Sequence, residues 1–162
     1  MLTRRRLITG GVGAGAVLAA GAAYGPHLAP EGRDAVIAAV AAVLLDGALP
    51  AQAAARARAL RGVAGGVERA IAGLPLRAQR ELSQLLTLLG FPLTRRLLAG
   101  VSEPWHAADP RQVDAFLRAW RHHRLVQLRA AYDALHQLTM AAWYGNPAVW
   151  PATGYPGPPR VG

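Results

Sequence analysis

Residues 109–145 read "DPRQVDAFLRAWRHHRLVQLRAAYDALHQLTMAAWYG", and their periodicity decides the fold. Asp109 is a helix N-cap followed by Pro110 at the first helical position, where the missing N–H costs nothing. From there neither proline nor glycine interrupts the chain until Gly145. Phe116, Trp120, Leu128, Ala131, Leu135, Leu138 and Ala142 recur at helical spacing as one apolar stripe, which Leu125, Tyr132 and Trp143 widen. Arg118, Arg121 and Arg129 fall off the stripe. The spacing predicts one C-terminal helix of roughly 35 residues, kinked near His122-His123, as the spine of a helical bundle.

Toward the N-terminus the same alphabet continues. Alanine, leucine and arginine dominate, β-branched residues are few, and no alternating strand pattern appears. A first helix is expected from Asp34 to Leu45; it is nearly all apolar and therefore buried, with Gly47 and Pro50 ending it. A second, from Gln52 to Ala72, carries Arg56, Arg58, Arg61 and Arg69 on its polar side. Its Gly62, Gly65 and Gly66 either kink it or let another backbone approach closely. A third, from Leu76 to Leu89, is amphipathic through Leu82, Leu85, Leu86 and Leu89 and is closed by Gly90 and Pro92. A short fourth follows around Leu93 to Leu98. The expected fold is all-α: an irregular bundle of about five helices over residues 31–144, with one long C-terminal helix.

No catalytic constellation emerges from the residues. Neighbouring histidines in a helix point about 100° apart, and His136 is not one turn from His122 or His123, so these are read as surface or capping groups. Glu103 and His106 flank Trp105 in "SEPWHAAD" in a way that mimics a general-acid pair. Pro104 and the interhelix position favour instead a turn in which Trp105 plugs the bundle. Ser83 and Ser102 lack a nucleophile-elbow context. The chain contains no cysteine, which excludes disulfides, thiolate metal sites and covalent haem attachment through C-x-x-C-H. No catalytic, cofactor-binding or metal-ligating residue is assigned, and no enzyme activity is expected of this chain.

The first residues, "MLTRRRLITGG", precede an uncharged run, "GGVGAGAVLAAGAA", from Gly10 to Ala23. That run is shorter than the roughly 20 residues a membrane-spanning helix needs, and its glycines make it a poor core helix. "GGVGAG" is superficially a dinucleotide fingerprint, but no strand precedes it. A basic stretch followed by a short apolar one is the layout of an export signal. The run from Thr3 to Ile8 resembles the twin-arginine signal, with Arg4 and Arg5 as the pair and Thr9 where a lysine is common. Residues 1–30 are accordingly read as a twin-arginine signal and linker, which places the protein in the periplasm after passage through the twin-arginine translocase. Ala20-Gly21-Ala22 offers a cleavage site, and both a cleaved and a retained signal fit the sequence. The formal net charge is +9, of which Arg4 to Arg6 supply three charges. The remaining arginines are scattered along helices rather than clustered with exposed aromatics, which argues against nucleic acid as a partner.

The C-terminal "AAWYGNPAVWPATGYPGPPRVG" sets Trp143, Tyr144, Trp150 and Tyr155 among Pro147, Pro151, Pro156, Pro158 and Pro159. A disordered tail would be poor in aromatics. Residues 145–162 are expected to run extended and to dock, with Trp150, Tyr155 and Pro156 on a partner and Trp143 and Tyr144 fastening the root. The competing reading, in which the tail covers its own bundle, stays open.

With a twin-arginine signal, a helical body, "FPLTRRLLAGVSEPW" and the run from Ala115 to Pro159, the chain resembles the gluconate 2-dehydrogenase subunit 3 family, the small (gamma) subunits of bacterial membrane-associated dehydrogenases. The resemblance covers nearly the whole chain. It implies a small subunit without a redox centre, accompanying a large FAD-dependent dehydrogenase of the glucose-methanol-choline type, often with a cytochrome c subunit. FAD would then sit on the partner, and this chain would supply the signal for co-export and aid assembly. The alternative from a different class is a free-standing exported helical protein that binds a small apolar or sugar ligand inside its bundle.

Overall fold

A helix with almost no charged residues has no solvent face to offer, and α1 (Arg33–Leu44) sits accordingly at the centre of the protein. The computed structural model describes residues 31–150. Arg4 and Arg5 of the signal, and Tyr155 and Pro156 of the tail, lie outside the described residues. Every residue from Ala35 to Leu44 is buried or half-buried, with Val36, Ile37, Val40 and Ala41 fully enclosed. Around α1 pack α2 (Ala53–Ala72), α3 (Leu76–Gly90), α5 (Pro110–Arg121) and α6 (Val126–Tyr144), together with a 3-10 turn at Trp105–Ala107. Between α3 and that turn, α4 (Pro92–Thr94) runs directly into a π-helical turn, Arg95–Ala99. No strand occurs among the described residues. The molecule is the all-α, irregular bundle that the sequence predicts.

The three glycines of α2 leave the helix unbroken. Of the two roles open to them, Gly66 takes the second, a close approach. A Cβ there would lie 2.8 Å from the Cβ of Ala142 on α6, and α2 and α6 form the most extensive helix pair in the fold. Gly62, by contrast, faces open space.

The expected single spine helix is two helices, and the kink anticipated near His122-His123 is a full break over 122–125. No proline or glycine causes it. Side chains next to the break satisfy the backbone groups it frees. The Leu125 N–H donates to Nδ1 of His123 at 3.0 Å. Arg129 donates from Nη1 to the carbonyls of His123 and Arg124, at 2.7 and 3.2 Å. Separation lets the halves bury different faces: Val113, Phe116, Leu117 and Trp120 from α5, and Leu135, Thr139 and Trp143 from α6. The α5 end of the core is aromatic, with Trp105 6.1 Å from Phe116 and Phe116 edge-on to Trp120 at 4.7 Å.

Gly62 and Gly66 provide an internal contrast in one helix. Gly62→Ala should stabilise by up to about 1 kcal/mol through helix propensity alone. Gly66→Ala gains the same term but forces α2 off Ala142, an overpacking that costs about 1–3 kcal/mol, so the net change should be destabilising. Urea midpoints moving in opposite directions support the close approach; midpoints moving together would refute it.

Candidate functional site

The most heavily bonded polar cluster was not legible beforehand. Arg95, first residue of the π turn, is only 3% exposed. A buried guanidinium is tolerated only when its charge and its N–H groups are matched. Here Nη1 donates to Oε1 of Glu31, Nε to the Val101 carbonyl at 3.3 Å and Nη2 to the Ser102 carbonyl at 3.4 Å. Glu31 Oε1 also accepts the Trp105 backbone N–H at 2.9 Å, and Oε2 faces His106 Nδ1 at 3.3 Å. The chain reaches this place because Gly90 lets it cross: a Cβ there would lie 2.6 Å from the Glu31 carbonyl. The Glu31 N–H bonds the Gly90 carbonyl at 2.9 Å. Gly100, at φ +66°, ends the π turn, and the indole N–H of Trp105 donates to the Leu89 carbonyl at 2.6 Å. Trp105 is thus the plug its turn context predicts. His106 pairs with Glu31 rather than Glu103, and both oxygens of Glu31 are engaged, so the cluster is an anchor rather than an acid–base pair.

The other histidines are placed apart. His123 caps the break, and His136 stacks on Tyr132 with centroids 5.8 Å apart. Among the described residues, no group of three or more His, Cys, Asp or Glu is arranged to hold a metal ion.

At the tail root the expected extended chain gives way to a fold-back. Gly145 stops α6, and the Asn146 side chain accepts the Ala148 N–H at 3.1 Å, opening a 3-10 turn at Pro147–Val149. Proline at the first turn position, with φ already set, favours that closure. The Trp150 indole then donates back to the Tyr144 carbonyl at 2.8 Å. Trp143 is buried in the bundle, so its ring serves the root and is not presented outward; Tyr144 is exposed and Trp150 half-exposed. Beside them, between α2 and the end of α6, runs an open groove of about 440 Å³ floored by Gly62, Gly65 and Ala142 and rimmed by Arg61 and Arg69. Among the described residues neither arginine is in an ion pair.

The interior offers little room. The cavity between Ile37, Ile71, Leu86 and Leu135 holds about 10 Å³, whereas small-molecule pockets measure about 300–1,000 Å³. An apolar groove along Ala35, Ala38, Ala39 and Ala42 of α1 is open to solvent and measures about 230 Å³. Compared with family models, curated proteins and solved structures, the chain matches none.

Two ion pairs of different depth test the anchor. Glu31→Ala strands a buried guanidinium and should cost about 3 kcal/mol or more. Glu81→Ala, which removes an exposed i,i+4 partner of Arg77, should leave the urea midpoint nearly unmoved. Equal, small effects would show that Arg95 does not depend on Glu31.

Proposed function

We propose that this chain is the non-catalytic accessory and escort subunit of a periplasmic FAD-dependent dehydrogenase, the role implied by its resemblance to gluconate 2-dehydrogenase subunit 3. In this reading Arg4 and Arg5 carry the pair to the twin-arginine translocase, which passes folded proteins. FAD is loaded in the cytoplasm, so a flavoprotein destined for the periplasm must fold before export, and a signal brought by a docked partner acts as a check on that step. The large subunit binds the tail, and a cytochrome c subunit joins where the assembly has one.

One observation supports the reading: aromatic and arginine side chains gather on the outside at the tail root, beside an open groove of about 440 Å³. Tyr144, Trp150 and the groove rimmed by Arg61 and Arg69 lie together where the tail leaves the bundle. Arginine pairs there in two-pronged fashion with carboxylates of a partner segment, and a glycine floor admits that segment's backbone. Aromatic anchors and arginine are the residues that dominate interface energetics. The packed core gives no support to a ligand held within the bundle.

The escort reading expects a large flavoprotein reading frame beside that of this chain, and the test is co-expression of the two. The expected product is a co-purified, yellow complex with a flavin absorbance spectrum, delivered to the periplasm. Arg4→Lys with Arg5→Lys should hold both proteins in the cytoplasm. Removal of residues 151–162, which takes away Tyr155 and Pro156, should leave helix content unchanged and release the large subunit. A colourless, solitary protein would overturn the escort reading, and co-export undiminished by the truncation would remove the tail from it.

A further inference from the structure

Five of the seven large apolar side chains exposed among the described residues fall on two segments, Leu93, Leu97 and Leu98 on one and Leu125 and Val126 on the other. Exposed apolar residues scattered singly need no explanation, but a concentration does. Leu93 is 62% exposed and Leu97 73%, one turn apart on the α4 and π-turn element, and Leu98 is 46% exposed beside them. The Trp120 indole donates to the Leu98 carbonyl at 3.1 Å, which sets the end of α5 against this turn. Leu125 closes the break that begins after Arg121, and Val126 opens α6.

The charges on the same segments have one sign. Between Phe91 and Ser102, and again between Ala115 and Tyr132, the sequence holds no carboxylate. Arg96, Arg121, Arg124 and Arg129 are exposed there. Arg96 and Arg129 donate to backbone carbonyls and Arg121 lies over the Tyr132 ring at 5.9 Å; among the described residues none of the four is in an ion pair. Exposed leucines standing out from a turn, fringed by exposed arginines, match an anionic bilayer surface, which takes apolar side chains at its headgroup boundary and basic ones at its phosphates. A protein hot spot would instead seat aromatic anchors in a fitted pocket. Neither the groove along α1 nor the groove at the tail root is lined by Leu93, Leu97, Leu98, Leu125 or Val126. Among the described residues no helix is long and apolar enough to cross a membrane, so the contact is one that lies on the surface.

We infer that this corner of the bundle is a peripheral membrane-docking surface, with Leu93, Leu97 and Leu98 entering the headgroup boundary of an anionic bilayer and Arg96 and Arg124 meeting its phosphates. The surface is separate from the tail root and does not rest on the escort reading. In an assembly of that kind it sets which side of the complex faces the lipid.

The chain has no cysteine, so Leu97→Cys in the full-length protein accepts a single environment-sensitive fluorophore. Ala54→Cys, exposed on the first turn of α2, is the reference position. With vesicles of mixed phosphatidylglycerol and phosphatidylcholine, the probe at 97 should shift to the blue and brighten while the probe at 54 stays in water. The readout is local, so contact of residues 1–30 with the vesicle does not mimic it. Arg96→Gln and Arg124→Gln should each weaken the response about fivefold, and added salt should weaken it further. An unmoved probe at 97, or an equal shift with phosphatidylcholine alone, would overturn the proposal. So would a shift produced by the large flavoprotein without lipid, which would assign the corner to a protein interface. Each of these results leaves the co-purification experiment free to succeed or fail by its own outcome.

Discussion

The guanidinium of Arg95, out of water and paired with Glu31, is the constraint on which the arrangement depends. Leaving that charge unmatched is worth several kcal/mol, comparable with much of the stability of a domain this size. Matching it requires three separated pieces of chain to meet: the lead-in to α1 through Glu31, the π turn that aims Arg95 inward, and the Val101–Trp105 loop that supplies carbonyls and an N–H. Once they meet, Trp105 is held over Leu89 and against Phe116, and the aromatic end of the core closes. A buried ion pair adds little net stability over a well-packed apolar equivalent, but removing one partner strands the other charge.

Much of this architecture is written locally in the sequence. The lack of charge in α1 signals its central place, and the Asp109-Pro110 start of α5 follows from capping: the Asp109 side chain accepts the Arg111 N–H at 2.9 Å. Trp105 sits between helices with a proline before it, and a large apolar ring in such a turn has only the core to enter. The glycines of α2 announce that something unusual happens there, but sequence alone does not separate a kink from a close approach, because both need the missing Cβ. The contact of Gly66 with Ala142 resolves it through a residue 76 positions away.

What stayed hidden was set by tertiary partners. Arg95 and Arg96 look alike as a basic pair on a short helix, yet one is buried and the other exposed, because Phe91, Arg95 and Ala99 share the inward face of that element. The break in the spine falls where a kink is expected, and His123 caps it, but the Arg129 bonds that complete it come from the following helix. A faint signal existed: the stripe that runs from Trp120 to Leu128 has Arg124 at its midpoint, where a continuous helix would need an apolar residue. The tail root misled for a related reason. Its prolines read as stiff extended chain, but Asn146 ahead of Pro147 is also a turn opening, and the Tyr144 carbonyl at the end of α6 was free to receive the Trp150 indole. Among the described residues, the aromatic tail root with its arginine groove and the leucine corner beside the break both lie on the surface.

Native-state hydrogen exchange tests the central constraint most directly, because it reads the closure without altering a residue. The amide and indole N–H groups of Trp105, bonded to Glu31 and Leu89, should exchange as slowly as amides in the middle of α1 such as that of Val40, opening only with the whole bundle. If they exchange at the rate of an exposed loop while α1 remains protected, the Arg95–Glu31 closure is a local ornament and the bundle stands without it.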